Sequence, residues 1–194
     1  MKTIAVDLDD TLNDFTRTLQ TARFSYDPAY NISPETFDRY LEKIRRGESD
    51  ANELLSTEYS YFCYRIHAEC YRLAPALPGA AEFMRWLREN RWRIVILTHR
   101  DLRRSNEATR RWLRENEIPF DHLFLALHKL AFCKAWKVQC LVDDHPMNLA
   151  PSDDPHEVEL FYPITSQHER LPIQQGRGFR NFDELKQWIP NQDS

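Results

Sequence analysis

Short β-branched and apolar runs alternate with amphipathic stretches along most of this chain. Thr3 to Leu8 is the first such run, and it ends in acids. Trp92 to Thr98, Leu123 to Leu127, Val138 to Val142 and Val158 to Tyr162 repeat the pattern, each short enough for a buried strand. Helical periodicity lies between them. Gly79 to Asn90 gathers Phe83, Met84, Trp86 and Leu87 on one face, and Asp101 to Asn116 aligns Leu102, Thr109 and Leu113. On the latter helix Glu107 is spaced to pair with Arg111. Lys129 to Trp136 predicts a short helix, and Phe182 to Ile189 a last one, with Asn181 and Glu184 spaced as a capping box. Strands alternating with helices predict an α/β fold, a doubly wound parallel sheet. The polar stretch from Gln167 to Gly178 reads as loop.

One segment breaks the alternation. Between the first strand and Leu77 only helix signals occur. Ser33-Pro34 is an N-cap followed by proline at the first helical position, and Gly47 stops that helix. Asp50 with Glu53 starts another, whose apolar residues Leu55, Tyr59, Phe62, Ile66, Cys70 and Leu73 recur at steps of three and four. Residues 14–76 therefore read as a small helical cap inserted after the first strand, and residues 1–13 and 77–194 as the α/β core, with Pro75, Pro78 and Gly79 marking the return.

Composition narrows the field without directing it. The 194 residues are 42% hydrophobic and 29% charged, an ordinary balance for a globular chain, and the length suffices for a core that needs no disulfide. A net charge of −4 gives no general electrostatic reason to expect a nucleic-acid or membrane partner. The first apolar run is too short for a signal-peptide core, and no segment has the apolar length of a membrane span, so a cytoplasmic location is expected. Cys63, Cys70, Cys133 and Cys140 form no Cys-x-x-Cys pair and read as small buried apolar residues rather than a zinc site.

The chemistry collects where the strands end. In an open parallel sheet ligands bind beyond the carboxyl ends of the strands. Here those ends carry Asp7, Asp9 and Asp10, then Thr98 and His99, then Lys129, then Asp143 and Asp144. An acidic turn that caps the next helix accounts for the first cluster taken alone, and an exposed turn before Pro146 for the last. Together, at matched strand ends, the carboxylates repel one another unless a cation intervenes, and a hard divalent ion with oxygen ligands suits them.

Asp7-Leu8-Asp9-Asp10-Thr11-Leu12 resembles the first signature of the haloacid dehalogenase superfamily, Thr98 the second, Lys129 the third and Asp143-Asp144 the fourth. Asp10 stands where many members have glycine. The resemblance implies a magnesium-dependent phosphatase in which Asp7 is the nucleophile and Asp9 the general acid–base. It implies Mg2+ held by Asp7, the Asp9 main-chain carbonyl and Asp144, with Asp143 indirect or paired with Lys129. Thr98, Lys129 and the amides of Asp9 and Asp10 would hold the phosphate. Asp7 through Phe15, with Asn148, is similar to the 5′(3′)-deoxyribonucleotidases and bacterial 5′-nucleotidases, which makes Phe15 a base-stacking candidate; His99, at the end of the second strand, is a further substrate-binding candidate. Phe15 equally suits packing with Leu19 and Ala22, and Tyr61, Phe62 and Tyr64 are further aromatic candidates.

The expected substrate is a small phosphomonoester, a nucleotide favoured. A sugar- or polyol-phosphate phosphatase, a nucleic-acid end phosphatase and a non-catalytic binding module on the same fold are the alternatives. Nucleic acid is not an expected partner, because Arg100, Arg103, Arg104, Arg110 and Arg111 read as a solvated helix face. The sequence leaves the oligomeric state open.

Overall fold

A computed structural model describes residues 1–30, 32–46, 58, 62–149, 158–164 and 176–189 of the chain, apart from the side chains of Tyr30, Cys63 and Arg104. Among these residues six strands form one parallel sheet: β1 (Thr3–Val6), β2 (Arg93–Thr98), β3 (His122–Leu125), β4 (Cys140–Val142), β5 (Glu159–Pro163) and β6 (Arg177–Phe179), in the order β3-β2-β1-β4-β5-β6. The helices are α1 (Phe15–Thr21), α2 (Pro34–Arg45), α3 (Ala68–Leu73), α4 (Ala80–Glu89), α5 (Leu102–Glu115), α6 (Lys129–Ala135) and α7 (Phe182–Trp188), with a π-helical stretch over Phe62–His67. No helix of the described residues is long and apolar enough to cross a membrane.

Alternation along the central strands builds two separate cores. Ile4 and Val6 of β1 and Ile94 and Ile96 of β2 face Phe83, Met84 and Leu87 of α4 and Leu185 of α7. Ala5, Val95, Leu97 and Leu141 point the other way, toward Cys133 of α6, Val138 and Leu149. Burial on both faces is what a near-continuous run of Ile, Val and Leu predicts for a parallel strand. Cys70, Cys133 and Cys140 are buried free thiols, and burial pushes each up to about 12, so they serve as packing groups.

The last strand departs from expectation. Arg177 and Gly178, read as loop, belong to β6, which pairs Tyr162 with Gly178. Three residues with a central glycine carry no periodicity. Glycine is required there by a close approach: a Cβ at Gly178 would stand 2.8 Å from the Tyr162 ring and 2.9 Å from Ile164. On α5 the ion pair forms between Arg111 and Glu115, Nε to Oε1 2.7 Å, rather than with Glu107.

Residues between β1 and α4 make a third core of their own from Leu19, Ile32, Phe37, Tyr40, Leu41, Ile44, Phe62, Ile66 and Cys70. Ser33 caps α2 by accepting from the Thr36 amide at 3.1 Å, with Pro34 at the first turn. The Gly47 stop, the Asp50 and Glu53 start, and Leu55, Tyr59 and Tyr61 lie outside the described residues. Phe62, Ile66 and Cys70 keep the stripe, but Leu73 is 44% exposed and leaves it. The two chain passages joining this helical part to the sheet run side by side. Asn13 bridges Ala76 antiparallel, the Asp14 amide donates to the Pro75 carbonyl at 3.0 Å, and the Leu77 amide to the Leu12 carbonyl at 2.9 Å. The Trp112 indole of α5 donates to the Ala74 carbonyl at 2.7 Å.

Candidate active site

The ladder continues one residue past the central strands and fixes the first carboxylates. The Asp7 amide donates to the Val142 carbonyl at 2.9 Å and the Asp143 amide to the Phe161 carbonyl at 3.0 Å. Both side chains are thereby set at the carboxyl end of the sheet, beside the switch between β1 and β4 where the strand order reverses. Asp7, Asp143 and Asp144 are buried and offer oxygens within 4.8 Å of one another.

Lys129, at the start of α6, enters this group. It is 1% exposed, with Nζ 2.8 Å from Asp7 Oδ1 and 2.7 Å from Asp143 Oδ2. Asp143 Oδ1 accepts from the His145 amide and from Asn148 Nδ2, both at 2.9 Å, so its two oxygens serve three donors. Asp144 has a looser contact, 3.4 Å from the Thr11 hydroxyl. Thr98, at the end of β2, is buried and accepts from the Arg100 amide at 3.2 Å, which leaves its own proton to donate.

Three buried carboxylates beside one buried ammonium leave negative charge uncompensated within this group. Burial pushes Asp7 up to about 7, Asp143 and Asp9 adding to the effect and Lys129 opposing it. Burial also raises Asp144, reinforced by Asp7, Asp143 and Asp10. For Lys129 burial acts downward, but Asp7 and Asp143 outweigh it and hold it above the usual lysine value. Oxygen donors from three buried carboxylates, with Asp7 and Asp144 both raised, fit a hard divalent cation.

These shifts have a consequence for the metal-free protein. A carboxyl group raised in the folded state stabilises the fold fully below its unfolded value near 3.8 and loses that contribution as pH rises through about 7. His67 works against this at lower pH: burial holds it down to about 4, so its contribution is lost as pH falls from 6.5 toward 4. His99, lowered by burial and by Lys129, has the same sign, and both imidazole contributions level off above pH 6.5 and leave the carboxylates to set the slope. In EDTA the melting temperature is therefore expected to fall between pH 6.5 and 8, and magnesium to remove most of that slope. A slope unchanged by magnesium would count against a cation at this cluster.

The other expected site residues are placed unevenly. Asp10 has a left-handed backbone, φ 58°, and its carboxylate accepts from the Thr16 amide at 2.8 Å and the Thr16 hydroxyl at 2.5 Å. Its amide donates to Asn13 Oδ1 at 3.3 Å. Asp10 thus braces the start of α1, with its amide on Asn13. The Asp9 carboxylate stands apart from the Asp7, Asp143 and Asp144 group, so any contact of Asp9 with a metal is left to its main-chain oxygen. His99 lies beyond Thr98 with Nε2 3.2 Å from the Leu127 carbonyl, its pKa lowered by burial and by Lys129. Phe15 stacks on Tyr71 at 5.3 Å and meets His67 edge-on at 5.7 Å. Phe62 is fully buried against Tyr40, Tyr64 is half-buried, and it is Tyr71, on which Phe15 stacks, that lies over the Arg100 guanidinium holding Asp9.

Arg100 is the residue that the helix-face reading misplaced. Arg103, Arg110 and Arg111 are exposed as expected, but Arg100 is 2% exposed and grips Asp9 with Nε to Oδ2 2.9 Å and Nη2 to Oδ1 2.5 Å. Asp101 caps α5 by accepting from the Arg103 amide, so Arg100 precedes the helix and belongs to the strand end. Its position two residues after Thr98 was the available signal. Asn13 is the other unforeseen member, donating to Asp9 Oδ1 at 3.1 Å.

No protein-family model matches the chain, and no curated protein does. Solved structures do. A haloacid dehalogenase-like family hydrolase from Streptococcus pneumoniae superposes with a TM-score of 0.64 at 14% identity, over 98% of this chain and 99% of that one. A haloacid dehalogenase (HAD) family hydrolase from Deinococcus radiodurans with bound phosphate and sodium gives 0.55 at 15% identity, over 95% and 93%. A predicted phosphoglycolate phosphatase from Haemophilus somnus gives 0.57 at 13% identity, over 96% and 97%. On the strength of its six-stranded parallel sheet and these near full-length superpositions, the chain has the fold of the haloacid dehalogenase-type hydrolases.

Proposed function

We propose that this protein is a magnesium-dependent phosphomonoester hydrolase that forms an aspartyl-phosphate on Asp7. The observation that carries this reading is the buried Asp7–Lys129–Asp143 arrangement with Asp144 beside it, at the switch point of the sheet. A nucleophile in such a site needs a cation beside it to approach an anionic phosphoryl group, and Lys129 supplies one directly. Asp7 and Asp144, with the main-chain oxygen of Asp9, would hold Mg2+, which supplies charge neutralisation of the phosphoryl oxygens.

An Asp7 oxygen attacks phosphorus in line while the ester P–O bond breaks, and the leaving oxygen takes a proton from Asp9. Water then attacks the aspartyl-phosphate, Asp9 accepts its proton, and inorganic phosphate leaves as Asp7 is regenerated. Thr98 donates to a phosphoryl oxygen throughout. Asp143 holds Lys129 in place and is itself held by Asn148 and the His145 amide. The helical part between β1 and α4 acts as a cap that limits access by water and shapes the leaving-group side. Nucleoside monophosphates are the favoured substrates. Phe15, packed against the cap's core with one face on Tyr71, is the candidate base contact, and a nucleobase would have to meet its other face.

A panel of phosphate esters tests the reading. Phosphate release is expected with magnesium, none in excess EDTA, and restoration on adding magnesium back. Release from sugar phosphates and from no nucleotide would overturn the nucleotide preference; release from no ester, or undiminished release in EDTA, would overturn the enzyme assignment.

A further inference from the structure

We infer that Arg100 is the positioning residue for Asp9 and that Tyr71 ties this pair to the helical cap. The inference rests on the reading of Asp9 as the general acid–base and deepens it: the gripped form is the carboxylate, ready to take a proton, and the oxygen that carries the proton to the leaving group gives up its place in the fork. Arg100 engages all three of its guanidinium nitrogens and one face. Nε and Nη2 grip both Asp9 oxygens, Nη1 donates to the Thr109 hydroxyl at 3.1 Å, and Cζ lies 4.1 Å from the centre of the Tyr71 ring.

A buried ion pair adds little net stability compared with apolar packing, so stability alone is a weak reason to bury an arginine here. What a bidentate fork supplies is direction. A carboxylate on the turn after β1 would otherwise rotate about its χ angles. Gripped at both oxygens from the end of β2, and at Oδ1 by Asn13 as well, it has one orientation. Lysine, a point charge on a flexible stem, does not reproduce that geometry.

The third contact gives the pair its connection. Tyr71 belongs to α3, within the helical part, and Phe15 at the start of α1 stacks on its ring. A chain of touching groups runs from Phe15 through Tyr71 and Arg100 to Asp9. Displacement of α3 removes one face of Arg100's support, so the orientation of the acid depends on where the cap sits.

The experiment compares two esters on the magnesium-loaded enzyme. An alkyl phosphate needs its leaving oxygen protonated, whereas 2,4-dinitrophenyl phosphate releases a stable phenolate without a proton. Arg100→Lys and Arg100→Met are each expected to lower kcat/KM on the alkyl ester by about 30-fold or more and on the activated ester by less than about threefold. Tyr71→Leu is expected to show the same selectivity with a smaller loss. Equal losses on both esters would assign Arg100 to the phosphoryl group or to folding, and no loss on either would leave it without a role; both outcomes overturn the inference. Should Arg100→Met fail to fold, Arg100→Lys and Tyr71→Leu decide the question. Asp9→Asn is the reference. If it shows no leaving-group selectivity, the reading of Asp9 as acid fails; if it is selective and Arg100→Lys is not, only the inference about Arg100 fails.

Discussion

Asp7→Asn is expected to abolish turnover, by about a thousandfold or more, because the amide oxygen is a poor nucleophile and the aspartyl-phosphate cannot form. The same substitution should not harm the fold. Asp7 is pushed up to about 7 by burial and by Asp143 and Asp9, so its charge at neutral pH sits in unfavourable surroundings. Replacing it with a neutral group of the same shape removes that repulsion, although Lys129 loses one of its two partners and keeps Asp143. In EDTA at pH 7.5 the variant should melt at or above the temperature of the parent protein. Phosphate release together with a thermal melt separates the two effects. Full activity would end the covalent scheme, and a large loss of stability would mean that the Lys129–Asp7 pair outweighs the crowding.

Lys129→Met has the opposite profile and the largest structural cost. It removes the cation paired with both Asp7 and Asp143, leaving those two buried carboxylates without their ammonium. Breaking a buried ion pair from one side typically costs about 3–5 kcal/mol. A drop of that size is expected in the urea-unfolding free energy of the metal-free protein, with part of it recovered on adding magnesium. Activity should fall by about a hundredfold or more even in magnesium, since the phosphoryl group loses a preorganised positive neighbour. Combining Lys129→Met with Asp7→Asn should be less destabilising than Lys129→Met alone, because the second substitution removes one of the stranded charges. Additive losses would show that the three groups do not act as one cluster.

Much of this arrangement could be read from the chain because its causes are local. Strand ends follow from apolar runs that stop at acids, and parallel pairing of those strands brings the stops to one edge. Asp7, Thr98, Lys129, Asp143 and Asp144 are therefore placed by periodicity and topology together. Asp10 was readable only as part of an acidic cluster, and its left-handed backbone and grip on Thr16 follow from the turn itself. Arg100 escaped because its neighbours Arg103, Arg110 and Arg111 share a helix with solvent, whereas it stops one residue short of the Asp101 cap. Its partner Asp9 is 91 residues away, a separation that no local pattern encodes. The strand β6 was missed for a related reason: three residues around Gly178 are ordered by the Tyr162 and Ile164 side chains of a distant segment.

The side-by-side passages at Asn13 and Ala76 have a topological corollary. The intervening sixty or so residues leave and re-enter at neighbouring points, and a domain whose termini nearly touch can be removed or exchanged without stretching what remains. A short glycine-containing turn bridging this gap would close the sheet domain on itself. Such a miniature would keep Asp7, Lys129, Asp143 and Asp144 together, since all four stand on the sheet side of the gap.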